Sequence, residues 1–199
     1  MISIKLKRNK KNEGEVAAQA AAFLKKGGVA ILPTDTVYGF SCLASSNKGI
    51  KAIRLLKGRD QKKPFIILAA GWRQLAAYID ISLAQKRLAA KMSLKRRPTT
   101  FIFDKHPDCR LFPAFKSLAV RLPKSSFLIK ILKENRCPLI STSVNRSGEE
   151  SLGNPQEFAS IFSGKSNDVL LVDQGPCRRR RASRIIDLRN PEKPLCLRK

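Results

Sequence analysis

Short apolar segments alternate with longer segments of helical periodicity along most of the chain. Residues 29–32 (VAIL) are apolar throughout and are followed by Pro33, a pattern typical of a buried strand. The segment before them, up to Lys26, places apolar residues on one helical face, and Gly27 and Gly28 separate the two segments. Alternation of this kind predicts an α/β fold.

The predicted helices have recognisable boundaries. The first is expected to begin at Asn12, because Glu15 follows it at the spacing of a capping box. Asn154 and Pro155, followed by Glu157, predict another helix start. Apolar residues at helical spacing predict further helices at 50–56, 72–78, 83–92 and 126–135.

Further strands are predicted where short runs of apolar and β-branched residues lie between turn signals. They are residues 65–68, 99–103, 117–122, 138–140, 169–172, 184–188 and 195–197. The sequence contains neither an internal repeat nor a low-complexity linker. For a chain of 199 residues this predicts a single α/β domain, 1–199, with a mixed sheet.

The charge of the chain is strongly positive, with 40 Lys and Arg against 15 Asp and Glu and a formal net charge of +25. Such a surface attracts polyanions, and nucleic acid is the first candidate. The alternative is a solvated basic surface without a dedicated partner. A hydrophobic content of 43% predicts a packed core and argues against disorder.

Several classes of protein are not favoured by the sequence. The five cysteines lie far apart without a Cys-x-x-Cys pair, so we expect reduced thiols and neither a disulfide framework nor a zinc site. The single histidine, His106, lies in a polar loop and is expected at the surface. No signal peptide opens the chain and no apolar stretch approaches the ~20 residues of a spanning helix, so a cytoplasmic protein without membrane contact is predicted.

Three polar clusters follow predicted strands or helices: PTDTVYG at 33–39, KGRDQKKP at 57–64 and STSVNRSG at 141–148. Lys57 and Arg59 offer an ammonium and a guanidinium suited to a triphosphate, although an exposed basic turn has the same composition. Hydroxyl and amide groups in 141–148 can bind phosphate or ribose, or form an ordinary turn. Neither a Walker loop nor a dinucleotide fingerprint occurs.

Taken together and in this order, the clusters resemble the YrdC/TsaC family of threonylcarbamoyl-AMP synthases. Further matches lie at 119–123 (AVRLP) and 183–187 (SRIID), and the resemblance extends from about Gly27 to Arg198. It implies the short form of the family, a single YrdC-like domain with a twisted mixed parallel and antiparallel sheet and flanking helices. It also implies synthesis of threonylcarbamoyl-AMP and pyrophosphate from L-threonine, bicarbonate and ATP, for modification of tRNA next to the anticodon.

The resemblance implies roles for individual residues. Lys57 and Arg59 would be the catalytic pair at the ATP phosphates. Other groups would bind ATP, through Arg59, Lys63, Ser117, Ser141, Ser143, Asn145, Ser151 and Arg198, or threonine, through Thr34, Thr36, Arg121 and Ser183. Mg²⁺ would enter on ATP, without a metal site of the protein's own. The implied partners are tRNA or double-stranded RNA on the basic surface, and proteins that transfer the threonylcarbamoyl group to tRNA.

The chain departs from the family pattern at several positions. Lys63 and Leu68 stand where some relatives carry Asn and His, Arg184 replaces a common Thr, and KRRP at 95–98 replaces Trp-Pro-Gly-Pro. Four arginines, 178–181, precede Ser183. Two alternatives therefore stay open: an RNA-binding module of the same fold without synthase activity, and a paralogue that acts on another carbamoyl or adenylate substrate.

Overall fold

The computed structural model describes residues 1–7, 9–60, 63–94, 97–162, 169–177 and 181–199. Within these ranges, one sheet of ten strands runs in the order β1-β8-β2-β3-β7-β4-β6-β5-β9-β10. The strands are β1 Ile2–Lys5, β2 Val29–Leu32, β3 Gly39–Leu43, β4 Ile66–Leu68, β5 Thr99–Asp104, β6 Ser117–Arg121, β7 Leu139–Ser143, β8 Val169–Asp173, β9 Arg184–Asp187 and β10 Leu195–Arg198.

The sheet is mixed, as the sequence predicted. Strand pairs β1–β8, β2–β8, β4–β6 and β5–β9 are parallel. Pairs β2–β3, β3–β7, β4–β7, β5–β6 and β9–β10 are antiparallel. Strands β1 and β3 were not predicted from the sequence. That residues 1–199 make up one domain stays a prediction.

The helices are α1 Lys10–Lys25, α2 Asn47–Lys57, α3 Trp72–Leu75, α4 Leu83–Ser93, α5 Ser126–Asn135 and α6 Pro155–Phe162. The predicted start of α1 at Asn12 was wrong: Asn9 is the N-cap, and its side chain accepts a hydrogen bond from the Asn12 amide. The Asn12 side chain instead accepts from the amide of Lys7. Over the described residues, no helix is long and apolar enough to cross a membrane.

Each face of the sheet has its own hydrophobic core, because successive strand residues point to opposite faces. Val29 and Ile31 pack in the core that α2 covers, whereas Ala30 and Leu32 pack in the core of α1 and α5. Fully burying each large aliphatic side chain stabilises the fold by about 1.5–3 kcal/mol. The sheet is therefore anchored by packing on both faces.

The sheet face that carries α1 and α5 also has a part where small and polar residues replace large apolar ones. There β6 presents Ala119 and Arg121 while Leu118 and Val120 point into the opposite core, and β7 presents Ser141 and Ser143. These small and polar side chains line a cavity. The candidate site is thus a part of the sheet face beside the α1 and α5 layer.

Candidate active site

The cavity on the sheet face has a volume of about 390 Å³. This lies within the range of roughly 300–1,000 Å³ found for small-molecule sites. A wider depression of about 760 Å³ lies between α1 and α5. Two of its lysines form ion pairs, Lys130 with Glu13 at 2.8 Å and Lys25 with Glu134 at 3.6 Å. We assign the smaller cavity as the candidate site, because the polar clusters of the sequence meet there.

Most of the residues that the sequence nominated line this cavity: Thr34, Thr36, Arg59, Arg121, Ser141, Ser143, Asn145, Ser151, Ser183 and Arg198. Lys57, Lys63 and Ser117 do not line it. Lys63 Nζ lies 3.5 Å from Ser147 Oγ. Ser117 shares the face of Arg121 but lies roughly 13 Å away along β6, at about 3.3 Å a residue. Whether these residues bind ATP or threonine stays a prediction.

Arg121 is 5% exposed and lies at the end of β6, within the cavity wall. Its Nη1 donates to Thr36 Oγ1 at 3.1 Å, and Nη2 is 3.3 Å from Asp35 Oδ1. Neither Arg121 Nε nor Asp35 Oδ1 has a hydrogen-bond partner among the described residues. Burial lowers the pKa of Arg121, while the Asp35 carboxylate opposes that shift. A buried cation with a donor that lacks an acceptor suits the carboxylate of a small ligand.

The hydroxyl groups of the segment between β2 and β3 form a chain of hydrogen bonds. Thr34 Oγ1 donates to the Val37 carbonyl at 2.7 Å, so the 2.9 Å contact between the two threonine hydroxyls has Thr36 Oγ1 as donor. Thr36 Oγ1 in turn accepts from Arg121. The Thr34 hydroxyl also accepts from the Thr36 amide at 3.0 Å. This chain fixes both side chains beside the Arg121 guanidinium.

Lys57 is the last residue of α2 and is only 2% exposed. Its Nζ donates to the Ser143 carbonyl at 2.6 Å, the Asn145 carbonyl at 2.9 Å and Asn145 Oδ1 at 2.7 Å. An ammonium group has three donors, so these three contacts use all of them. Burial, and secondly the charge of Arg59, lower the pKa of Lys57 to about 8. The ammonium thus lies behind the cavity wall.

The contacts of Lys57 hold the turn that follows β7. Ser143 Oγ donates to Asn145 Oδ1 at 2.6 Å, and Asn145 Nδ2 donates to the Glu149 carbonyl at 2.7 Å. The Ser147 amide donates to the Lys57 carbonyl at 2.9 Å. Both the side chain and the main chain of Lys57 therefore position the Ser143 and Asn145 side chains in the cavity wall.

Arg59 faces the cavity although it is only two residues from Lys57. Gly58 between them is the C-cap of α2 and has φ 59°, a left-handed conformation that glycine adopts without strain. This conformation ends the helix. The Lys57 side chain is therefore buried behind the cavity wall, whereas the Arg59 side chain is part of the wall. Burial, followed by the nearby charge of Arg54, lowers the pKa of Arg59.

Ser183 and Arg198 form another polar group in the cavity wall. Arg198 donates twice to the Ser183 carbonyl, from Nε at 2.9 Å and from Nη2 at 2.7 Å. The Ser183 hydroxyl lies 2.8 Å from Thr100 Oγ1. Four arginines, 178–181, precede Ser183 in the sequence. Three of them, 178–180, lie outside the described residues.

The family model Sua5/YciO/YrdC, described as "Telomere recombination", matches residues 22–199. The chain belongs to the Sua5/YciO/YrdC family. It is 34% identical over 151 residues to threonylcarbamoyl-AMP synthase of Klebsiella pneumoniae, covering 74% of this chain and 80% of that protein. It is 28% identical over 189 residues to threonylcarbamoyl-AMP synthase of Mus musculus, covering 90% of this chain and 65% of that protein.

Solved structures show the same Sua5/YciO/YrdC fold. P. abyssi Sua5 complexed with L-threonine aligns with a TM-score of 0.82 at 27% identity, covering 99% of this chain and 56% of that chain. The present chain thus spans just over half of the P. abyssi protein and less than two thirds of the mouse protein. The predicted YrdC-like fold is confirmed.

The cavity of this Sua5/YciO/YrdC member also contains residues that the sequence analysis missed. Gly39 ends the cluster at 33–39, but its role was missed: a Cβ at this position would lie 2.8 Å from Ser141 Oγ, so a larger residue would displace the Ser141 side chain in the polar wall. The other missed residues are apolar residues of the lining and include Ile66, Ile102, Ile185 and Leu197. Leu68, which the sequence marked as a departure from the family pattern, lines the cavity as well. Within the strands these isoleucines alternate with core residues at a period of two, and this pattern could have placed them on the opposite face of the sheet.

Proposed function

We propose that this Sua5/YciO/YrdC protein is a threonylcarbamoyl-AMP synthase, an enzyme that converts L-threonine, bicarbonate and ATP into threonylcarbamoyl-AMP and pyrophosphate for tRNA modification. Relatives from two distant organisms carry this name, and L-threonine is bound in the P. abyssi Sua5 structure. The observation that carries the proposal is Arg121, a buried guanidinium in the cavity wall whose Nε has no partner among the described residues.

The two substrates would occupy different parts of the cavity. Arg121 would bind the threonine carboxylate, and the hydroxyl groups of Thr34, Thr36 and Ser183 would surround that substrate. The ATP side would include Arg59, with further contacts from other lining residues: Ser141, Ser143, Asn145, Ser151 and Arg198. The predicted ATP contacts Lys63 and Ser117 lie outside the cavity wall. Mg²⁺ would enter as the complex with ATP.

The chemistry would join a carbamate to the α-phosphate. The threonine amine forms a bond to the carbon derived from bicarbonate, and an amine proton leaves with the hydroxide of bicarbonate as water, so that a carbamate forms. A carbamate oxygen then attacks the α-phosphorus, and the bond to the bridging oxygen breaks to release pyrophosphate. The residues of the cavity would align the carbamate with the phosphate, exclude water from the labile product and balance the charge of the leaving group.

Mass spectrometry of the reaction products tests this function. The protein is incubated with MgATP and bicarbonate together with L-threonine, L-serine, L-valine or no amino acid. We expect threonylcarbamoyl-AMP and pyrophosphate with threonine, and little product with valine, because a site that binds a hydroxyl group rejects the analogue that lacks it. Turnover with another amino acid alone would contradict the proposal and favour a paralogue.

The instability of the adenylate product and the positive charge of the protein indicate two kinds of partner. The unstable adenylate would pass to a protein that transfers the threonylcarbamoyl group to tRNA, and both reactions would take place in the cytoplasm. The net charge of +25 supports direct contact with tRNA. We expect tRNA binding that weakens steeply as salt rises. Salt-dependent RNA binding by a protein without threonine-dependent turnover would favour the RNA-binding module instead.

A further inference from the structure

The aromatic ring of Phe65 lies close to two guanidinium groups. Arg54 Cζ and Arg59 Cζ are each 5.0 Å from the ring centroid. A guanidinium within about 6 Å of a ring centroid is attracted by the negative potential of the ring face. We propose that Phe65 is a positioning residue that fixes the Arg59 guanidinium for the ATP phosphates, an inference that rests on the proposed function.

The backbone beside Phe65 holds one edge of the same guanidinium. Arg59 Nη2 donates to the Pro64 carbonyl at 2.7 Å, and Nε donates to the Lys63 carbonyl at 3.4 Å. Ring and carbonyls thus restrain the side chain from two directions while Arg59 remains in the cavity wall. A guanidinium held in this way loses less conformational freedom when it binds a phosphate.

The ring itself cannot move easily. Phe65 is 1% exposed, and its centroid is 5.7 Å from that of Phe112, which in turn packs edge-on against Phe115 at 6.4 Å. Arg54 is fixed as well, since its Nη1 donates to the Asp60 carbonyl at 2.9 Å. The like charge of Arg54 contributes to the lowered pKa of Arg59, and the attraction of both guanidinium groups to the ring offsets part of that repulsion.

A series of fluorinated phenylalanines at position 65 tests the inference. Each fluorine weakens the negative potential of the ring face and changes its shape little. The full-length chain with one, two and three fluorines on Phe65 is titrated with MgATP and with L-threonine, and its Tm is recorded. We expect the Kd for ATP to rise stepwise, by about three- to tenfold in total. The threonine Kd should stay unchanged. The Tm should fall by only a few degrees, because the ring also stabilises the two guanidinium groups in the folded state.

The same series at Phe103 is the matched control. Phe103 is also buried and packs edge-on against Trp72 at 5.9 Å, and the structure gives it no cation over the ring within the described ranges. We expect no change of the ATP Kd there. Equal losses at both positions, or no loss at position 65, would overturn the inference.

The inference and the proposed function fail separately. An ATP Kd that rises along the Phe65 series, in a protein that forms no threonylcarbamoyl-AMP, supports the role of Phe65 and contradicts the proposed function. A constant ATP Kd in an enzyme that does form the product overturns the role of Phe65 alone.

Discussion

Two buried cations, one behind the wall of the cavity and one within it, differ in what surrounds them. Behind the wall, Lys57 is 2% exposed and its three ammonium donors all meet acceptors at the end of β7 and in the turn after it. Within the wall, Arg121 is 5% exposed and its Nε has no acceptor among the described residues. Burial of a cation therefore does not by itself indicate a ligand contact. Position relative to the cavity separates the two, because Arg121 lines it and Lys57 does not.

The difference separates a residue that binds from one that positions. Arg121 would contact the threonine carboxylate directly. Lys57, which the motif nominated for the phosphates, is expected to act through the Ser143 and Asn145 side chains that it holds. The two cations should then affect different substrates, which the following predictions test.

The largest effect is expected for Arg121→Met. We expect kcat/KM for threonine to fall by about 100-fold or more, since a charge-assisted contact is lost and the Asp35 carboxylate stays buried without its partner. The ATP Kd should change little. The double variant Arg121→Met/Asp35→Asn removes both charges and controls for folding. Threonine binding that returns in the double variant would contradict the assignment.

Substitution of Lys57 should have a smaller effect and act on ATP. Lys57→Met removes the ammonium from three acceptors, of which, among the described residues, only Asn145 Oδ1 keeps another donor, the Ser143 hydroxyl. The turn therefore loosens, and the ATP Kd should rise about 10- to 30-fold at an unchanged threonine Kd. Lys57→Arg is the informative control, because the larger planar guanidinium group does not fit among the three acceptors that surround Nζ. We expect it to be as poor as Lys57→Met, as measured by calorimetric titration. An active Lys57→Arg variant would indicate that the charge acts directly on the phosphates.

Much of this site could be predicted from the sequence, because its chemical groups lie in short ordered strings. The sequence segments 33–39, 57–64 and 141–148 contain predicted site residues, and most of these line one cavity. The different directions of Lys57 and Arg59 could not be predicted, since they depend on the left-handed conformation of Gly58. A Lys-x-Arg pattern alone does not indicate which of the two cations is buried.

The fold was predictable where strands are apolar on both faces, as in β2 and β8, whose residues are all buried. Strand β3 was missed because Gly39 and Ser41 interrupt the apolar run. Both belong to the face of the sheet that bears the cavity, so the functional face itself weakened the strand signal.

The pH dependence of ATP binding should show a still smaller effect. Burial lowers the pKa of Lys57 to about 8, so the ammonium is present below that pH and loses a proton as the pH rises through it. One acceptor then lacks its donor, and we expect the ATP Kd to rise about three- to tenfold between pH 7 and 9. The Lys57→Met variant should lack this step. A step of equal size in that variant would assign the titration to another group.

Unfolding does not explain such a loss, because the sign for stability is opposite. The folded pKa of about 8 lies below the ordinary 10.5, so the unfolded chain binds more protons between these two values. The contribution of Lys57 to the free energy of unfolding therefore rises with pH in this window. Urea unfolding of wild type and Lys57→Met at pH 7 to 10 measures the difference.

The smallest effect is expected for Arg189→Met, which removes an Arg–Asp pair that lies outside the cavity. Arg189 is about half exposed and its Nη2 is 2.7 Å from Asp187 Oδ2, a shorter contact than that of Arg121 with Asp35. Exposed pairs of this kind contribute about 0–1 kcal/mol. Stability and kcat/KM should stay close to wild type. A large loss of activity would show that loss of any arginine impairs this basic protein.

The most direct test of the different roles of the two cations is calorimetric titration of L-threonine into the wild type, Arg121→Met and Lys57→Met proteins, each checked for folding by its Tm. We predict that Arg121→Met loses measurable threonine affinity while Lys57→Met keeps the wild-type Kd. Equal losses in the two variants, or threonine binding that survives in Arg121→Met, would contradict these roles.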